Sequence, residues 1–225
     1  MALLKNYNEF INRVNDLGFM ALSNILPGLP SVVDETTKEQ WHTGDAETDP
    51  WRWKDRAAEE KQVAFGCIFG GHKGFVSAHM YPYFYSFYSP KESMEYMWDQ
   101  GLVSPVVMEL WKLFETKTLL NTSDIRHEMG VGKKGGGKVD SAIVELQKLY
   151  HITVAGSRRK LNKEGEPYGW PANVYDRVEN WAPSDWLKGF SDIDGADAGQ
   201  YIIETGLKIS NNVKEAELRK ILSIR

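Results

Sequence analysis

The sequence predicts an α+β protein in which a middle region of three helices and a β-hairpin lies between two other regions. Three observations lead to this prediction. Apolar residues recur at helical intervals in several segments, two β-rich segments flank a basic loop, and a content of 42% apolar and 26% charged residues is typical of a folded globular protein. The three regions are residues 1–103, 104–183 and 184–225.

The first region is expected to be helical and rich in aromatic residues. Residues 4–17 place five apolar side chains on one helical face, namely Tyr7, Phe10, Ile11, Val14 and Leu17. A loop rich in turn-forming residues is expected over 27–50, and a second helix over 56–63. Residues 63–69 fit either a strand or the end of a buried helix, because periodicity does not separate the two in a short apolar run.

The middle region has the clearest helical pattern. Helices are predicted over 105–114, 123–129 and 138–150. Either Asn121 or Thr122 can cap the second helix, because both side chains carry an oxygen that accepts from free backbone N–H groups. Three helices in this order predict a helix-turn-helix unit.

Strand signals follow the third helix. A β-rich segment at 151–154, a basic loop at 156–165 and a second β-rich segment at 173–178 predict a hairpin with a basic tip, which is the wing of a winged helix-turn-helix domain. Two more helices are expected over 196–205 and 213–222 and should pack back on the body.

The charge is unevenly distributed along the chain. The net charge is −4, but residues 126–163 contain nine Lys or Arg against three acids, a net of +6 that leaves −10 for the rest. A basic segment on an acidic body predicts a local surface that binds phosphate, and a merely solvated basic surface is the alternative. The predicted nucleic-acid-binding residues are Lys133, Lys134, Lys138, Arg158, Arg159, Lys160 and Lys163.

The glycine-rich turn at 132–138, GKKGGGK, matches the spacing of the phosphate loop of nucleotide hydrolases. Two features disfavour nucleotide binding: Val139 lacks the hydroxyl that holds magnesium, and a helix is predicted where that fold requires a strand. The turn fits contact with a nucleic-acid backbone better, because glycines and free amides at a helix N-terminus let phosphate approach.

The outer surface of the third helix does not favour sequence-specific reading of DNA. Five residues are expected there, namely Asp140, Ser141, Glu145, Gln147 and Lys148, and two of them are acids that repel phosphate. Contact of the basic hairpin with the DNA backbone is the better prediction. Packing of the winged helix against a protein partner is the alternative.

A few other residues bear on binding or catalysis. Trp51, Arg52 and Trp53 mix stacking surfaces with a cation and could line a pocket, although core packing is the alternative. The spacing of the five histidines predicts no metal site, and no cofactor is expected. Cys67, between apolar neighbours, is expected to be buried and inert, and a single cysteine with no membrane span predicts a cytoplasmic protein.

The chain resembles the AlkZ/YcaQ type of winged-helix DNA glycosylase, which excises alkylated bases and unhooks crosslinks. The resemblance rests on residues 51–54 (WRWK), 65–66 (FG), 75–77 (FVS), 81–84 (YPYF) and 180–183 (NWAP). It implies a function in DNA repair, with double-stranded DNA as a partner.

In that family a segment after the first helix carries a glutamine and, two residues later, an acid or amide that position water. The matching stretch here is residues 18–23, GFMALS, which places Ala21 and Ser23 at those two positions. Neither side chain can act as a general base unaided at neutral pH. The resemblance therefore implies a relative that binds DNA without the family's base-excising mechanism.

Two alternatives to a noncatalytic DNA-binding protein remain. One is a glycosylase with a relocated acidic site that uses Asp45, Asp49 or Asp55 near His42. The other is a noncatalytic module that binds a protein partner.

Overall fold

The computed structural model describes residues 3–132 and 135–225. Helices combine with two three-stranded antiparallel sheets, so the fold is α+β as predicted. Among the described residues, no helix combines the length and the apolar character needed to cross a bilayer.

The N-terminal sheet contains β1 (Phe19–Ala21), β2 (Val63–Phe69) and β3 (His72–Ser77) in the order β1-β3-β2. All seven residues of β2 are buried, and the segment is a strand and not the end of a helix. Helix α1 (Tyr7–Leu17) packs on this sheet through the five apolar side chains that the periodicity predicts.

Helix α2 (Pro50–Glu59) begins earlier and ends earlier than the predicted helix over 56–63. The Asp49 side chain accepts a hydrogen bond from the Trp51 backbone N–H, and Pro50 occupies the first turn, where its missing N–H is not needed. The end of the predicted loop is therefore the start of a helix. Helices α3 (Tyr81–Tyr88) and α4 (Met94–Asp99) complete the first region.

The middle region contains three helices, α5 (Pro105–Thr116), α6 (Thr122–Glu128) and α7 (Gly136–Lys148). Asn121 is the N-cap of α6, since its Oδ1 accepts hydrogen bonds from the Ser123 and Asp124 N–H groups at 2.8 and 3.0 Å. These helices match the predicted ones to within about two residues at each end, which is the usual spread of helix boundaries.

The second sheet contains β4 (Leu120–Asn121), β5 (Ile152–Leu161) and β6 (Pro167–Arg177) in the order β4-β6-β5. The β5–β6 hairpin is longer than predicted, because most of the basic segment at 156–165 is strand and not loop. The register shifts twice along β5, so the strand continues past Gly156 by bulging instead of ending there.

The C-terminal region begins with the short helix α8 (Val178–Trp181) and continues with α9 (Gly195–Ile209) and α10 (Glu215–Leu222). Helix α9 packs on α3, where Gly199 meets the Phe87 ring so closely that an added Cβ would lie 2.7 Å from it. The two predicted C-terminal helices are confirmed and pack on the first region.

Candidate nucleic-acid interface

The β5–β6 hairpin presents cations and apolar rings to solvent together. Its three large exposed apolar side chains are Leu161, Tyr168 and Trp170, with exposed fractions of 62%, 51% and 73%. The predicted residues Arg159, Lys160 and Lys163 are also exposed, and none of them forms an ion pair within the part of the chain that the structure describes. The hairpin therefore presents to solvent large apolar side chains and cations without an ion pair to any described residue.

Arg158 differs from its neighbours because its guanidinium is already engaged. The Nη2 atom donates to the Leu119 carbonyl oxygen at 2.8 Å and to Asp124 Oδ2 at 3.0 Å. This side chain joins the hairpin to the start of α6. These contacts indicate that Arg158 positions the hairpin against α6.

A groove of about 360 Å³ runs between α2 and the hairpin. Arg52, Arg158 and Arg159 line it together with Ser157, Leu161 and two prolines, and no acidic residue is among the lining residues. The predicted pocket residue Arg52 thus lies next to two of the predicted basic residues, although it is far from them in the sequence.

The glycine turn is described only in part. Lys133 and Lys134 lie outside the described residues, and Lys138 is exposed in the first turn of α7. Nearby, Arg126 Nη2 lies 2.7 Å from both carboxylate oxygens of Asp140, so one of the acids expected on the outer surface of α7 is neutralised.

Gln147 was expected on the outer surface of α7, and that expectation is wrong. The residue is 2% exposed; its Oε1 accepts from the Cys67 backbone N–H at 3.0 Å, and its Nε2 donates to the Ile143 carbonyl at 3.2 Å. Helix α7 therefore packs its Gln147 side on β2, a contact between regions that helical periodicity cannot predict.

The aromatic residues at the start of α2 have separate surroundings. Trp53 is fully buried, stacks on Phe10 with ring centroids 5.3 Å apart and donates from Nε1 to the Glu47 carbonyl at 2.9 Å, so its ring belongs to the core. Trp51 is half-buried, and its ring centroid lies 5.3 Å from that of His42. His42 in turn lies 6.0 Å from Trp170, edge to face.

These contacts form one row of rings, Trp51, His42 and Trp170, which we call the aromatic row. It joins the loop before α2 to the hairpin. Local sequence patterns relate His42 only to nearby acids and do not single out Trp170, because no such pattern connects residues so far apart in the chain.

Asp49 holds the backbone of two residues of the aromatic row, His42 and Trp51. Its Oδ1 accepts from the backbone N–H of His42 at 3.0 Å and of Trp51 at 2.9 Å, and its Oδ2 accepts from that of Gly44 at 2.9 Å. His42 adopts a left-handed backbone conformation with φ of 64°, which this hydrogen bonding helps to maintain. The Asp49 carboxylate is therefore occupied structurally, and so is that of Asp45, which accepts from two backbone N–H groups in the same loop.

The third candidate acid, Asp55, is 2% exposed and pairs through Oδ1 with the Lys54 ammonium. Within the described residues its Oδ2 has no hydrogen-bond partner, and Arg52 lies 3.8 Å from it. Burial lowers the pKa of Lys54, against the opposing effect of Asp55. The Lys54 ammonium also lies 4.6 Å from the centre of the Trp51 ring, so the pair contacts the aromatic row through Trp51.

A second cavity, of about 320 Å³, lies between the N-terminal sheet and the middle region. Its polar lining includes Lys73, Thr122, Arg126, Asn173 and Tyr175. Cys67 also lines it, and burial raises the pKa of that thiol, which disfavours the reactive thiolate. Among the described residues, no three His, Cys, Asp or Glu side chains come together as metal ligands.

The two positions matched to the glycosylase motif have different surroundings. Ala21 is fully buried in β1, where its backbone bonds to the segment around Pro30, and Ser23 is exposed just after the strand. Neither lines the groove or the cavity described above.

The fold and this surface define a class: an α+β protein that presents a cationic and aromatic hairpin beside a three-helix unit. The model of the AlkZ-related family matches residues 4–223, nearly the whole chain, and the protein belongs to that family. No curated protein and no solved structure matches the chain.

Proposed function

We propose that this AlkZ-related protein binds DNA through a winged-helix domain at residues 104–183, as part of DNA repair. Residues 1–103 would form the helical and aromatic-rich region on which that domain rests, and residues 184–225 the helical region that packs back on it. The order α5, α6, α7, β5, β6, with β4 as a third strand, supports the winged-helix assignment. Membership of a family related to AlkZ supports the link to repair.

The observation that carries DNA binding is the set of unpaired cations beside exposed rings on the hairpin. In the described part of the chain, Arg159, Lys160 and Lys163 are available to phosphate, whereas Arg158 is held by Asp124. Release of counterions from DNA favours binding by such cations, and this contribution does not depend on base sequence. Lys133, Lys134 and Lys138 remain proposed additional contacts to the backbone.

Sequence-specific reading by α7 is not part of the proposal. Gln147 is turned inward, Asp140 is paired with Arg126, and Glu145 leaves a carboxylate on the outward side. A carboxylate repels phosphate unless it accepts from a cytosine amine. We expect binding that varies little between duplex sequences.

Binding to a labelled duplex, measured by fluorescence anisotropy at rising salt, tests the proposal. A triple variant, Arg159→Ala/Lys160→Ala/Lys163→Ala, should lower the slope of log affinity against log salt by up to about 3, roughly one for each phosphate that the variant no longer neutralises. The matched control removes three C-terminal cations, Lys188→Ala/Lys208→Ala/Lys220→Ala, and should leave the slope unchanged.

Two results would contradict the proposal. Equal slopes for the two triple variants would exclude the hairpin as the contact surface. Absence of binding at low salt, together with a stable protein partner on copurification, would favour the protein-interaction module instead.

A second candidate function is base excision at a relocated acidic site. The observation that favours it is Asp55 Oδ2, which has no hydrogen-bond partner among the described residues and lies beside a lysine of lowered pKa, since perturbed buried pairs often belong to functional sites. Incubation with DNA carrying alkylated bases should then release free base. The double variant Lys54→Met/Asp55→Leu, which removes the pair without leaving a lone charge, should release none. If the wild-type protein releases no base from a panel of lesions, this candidate fails.

A further inference from the structure

The aromatic row lies next to the groove between α2 and the hairpin. This placement indicates which kind of DNA the surface can bind. Trp51 and Arg52 are consecutive residues of α2: the first belongs to the row and the second lines the groove. In the hairpin, Trp170 lies between the cross-strand pairs Arg158–Ala172 and Lys160–Tyr168, which puts it level with Arg159. A ring and a cation thus lie next to each other both on α2 and on the hairpin.

The Trp170 ring is both exposed and held. Its exposed fraction is 73%, yet it contacts His42 edge to face with an interplanar angle of 82°. The backbone of His42 is held by the hydrogen bond from its N–H to Asp49, a residue that is 1% exposed. A ring held in this way loses little conformational freedom when a ligand stacks on its open face.

We propose that the aromatic row binds an unpaired nucleobase, with the flanking phosphates bound by Arg52 and Arg159 in the neighbouring groove. The proposal rests on the DNA binding proposed above and names its preferred substrate as DNA with an unstacked base. A base inside a regular duplex has both faces covered by its neighbours and cannot stack on a protein ring. An unpaired base has a free face, and every base can use it, so this preference carries no sequence specificity.

A duplex and the same duplex with one unpaired 2-aminopurine are the probes. The protein should bind the bulged DNA more tightly by about 5- to 150-fold, the range expected for one base stacked on an aromatic ring. The emission of 2-aminopurine should fall on binding, because stacking quenches it. Trp170→Ala should abolish both the preference and the quenching while leaving the salt dependence on plain duplex unchanged.

Trp98→Ala is the matched control, because Trp98 is 41% exposed on α4, outside the aromatic row. This variant should keep the preference and the quenching. Equal binding of the two probes by the wild-type protein, or a Trp170→Ala variant that still prefers the bulge, would overturn the inference and leave the hairpin contact with DNA standing. Failure to bind either probe at low salt would overturn both proposals.

Discussion

At the scale of single residues, the buried pair of Lys54 and Asp55 should dominate the response to substitution. Asp55→Asn leaves the lysine ammonium buried without its counter-ion, and breaking a buried pair in this way costs about 3–5 kcal/mol. We expect this loss in the free energy of unfolding measured with urea. The double variant Lys54→Met/Asp55→Leu should regain most of it, because two apolar residues can replace a buried pair with little net change. A double variant as unstable as the single one would contradict this explanation.

His151 should make stability depend on pH. Burial lowers its pKa, its Nε2 has no hydrogen-bond partner within the described residues, and its ring lies 5.1 Å from that of Trp111. In the unfolded chain, His151 therefore takes up a proton near pH 6.5, whereas in the folded protein it does so only at a lower pH. The stability associated with this residue is present above about pH 6.5 and is lost progressively as the pH falls from there through the lower pKa of the folded protein.

His151→Phe keeps a ring against Trp111 and removes the titration. In thermal unfolding, the wild-type protein should lose more stability than the variant between about pH 7.5 and 5.5. If His151 does not contribute, the plots of stability against pH for the two proteins should run parallel.

At the scale of elements, the hairpin should depend on Arg158 for its position and not for its charge toward DNA. Arg158→Ala removes the hydrogen bonds to the Leu119 carbonyl and Asp124, so amide hydrogen exchange in β5 and β6 should become faster. The salt dependence of DNA binding should stay the same, since the guanidinium is already paired. A slope lowered by about 1 would instead assign Arg158 to a phosphate contact. Arg158→Lys, which keeps the charge without the planar fork, separates the two explanations.

The sequence predicts some elements well because their signals are local. Helix α1 has five apolar residues at strict spacing, and α6 has the Asn121 cap. The start of α2 escapes prediction because Asp49 and Pro50 are as typical of loops as of helix starts. The length of the hairpin escapes it because glycine and charge in β5 suggest a loop, whereas a bulge at Gly156 keeps the strand paired.

The charges of the candidate site can be predicted from the sequence, and its shape cannot. Exposed cations on the hairpin follow from composition, which is why Arg159 and Lys160 are evident from the sequence. The contact of His42 with Trp170 joins residues far apart in the chain, and no periodicity, cap or turn relates them. For the same reason, the inward turn of Gln147 toward Cys67 depends on where α7 meets another region.

At the scale of the whole molecule, the boundary predicted between residues 103 and 104 does not separate two hydrophobic cores. One cluster of buried side chains includes Phe10 and Trp53 from the first region and Ile143 and Tyr175 from the middle one. The indole N–H of Trp181 donates to the Ala58 carbonyl at 2.9 Å, which adds a buried polar link. Regions that share a hydrophobic core are expected to unfold together.

We therefore expect the first two regions to unfold in one cooperative transition, with Gln147 as a sensitive test. Gln147→Leu leaves the buried Cys67 N–H without its acceptor, which costs about 1–3 kcal/mol. Near-ultraviolet and far-ultraviolet circular dichroism should record one midpoint for the wild-type protein and one lower midpoint for the variant, because the substitution weakens a contact that both regions share. Gln100→Leu, at an exposed position after α4, should leave the midpoint unchanged. If the variant instead shows two separate transitions, the regions fold independently, and the hairpin could be studied in an isolated fragment.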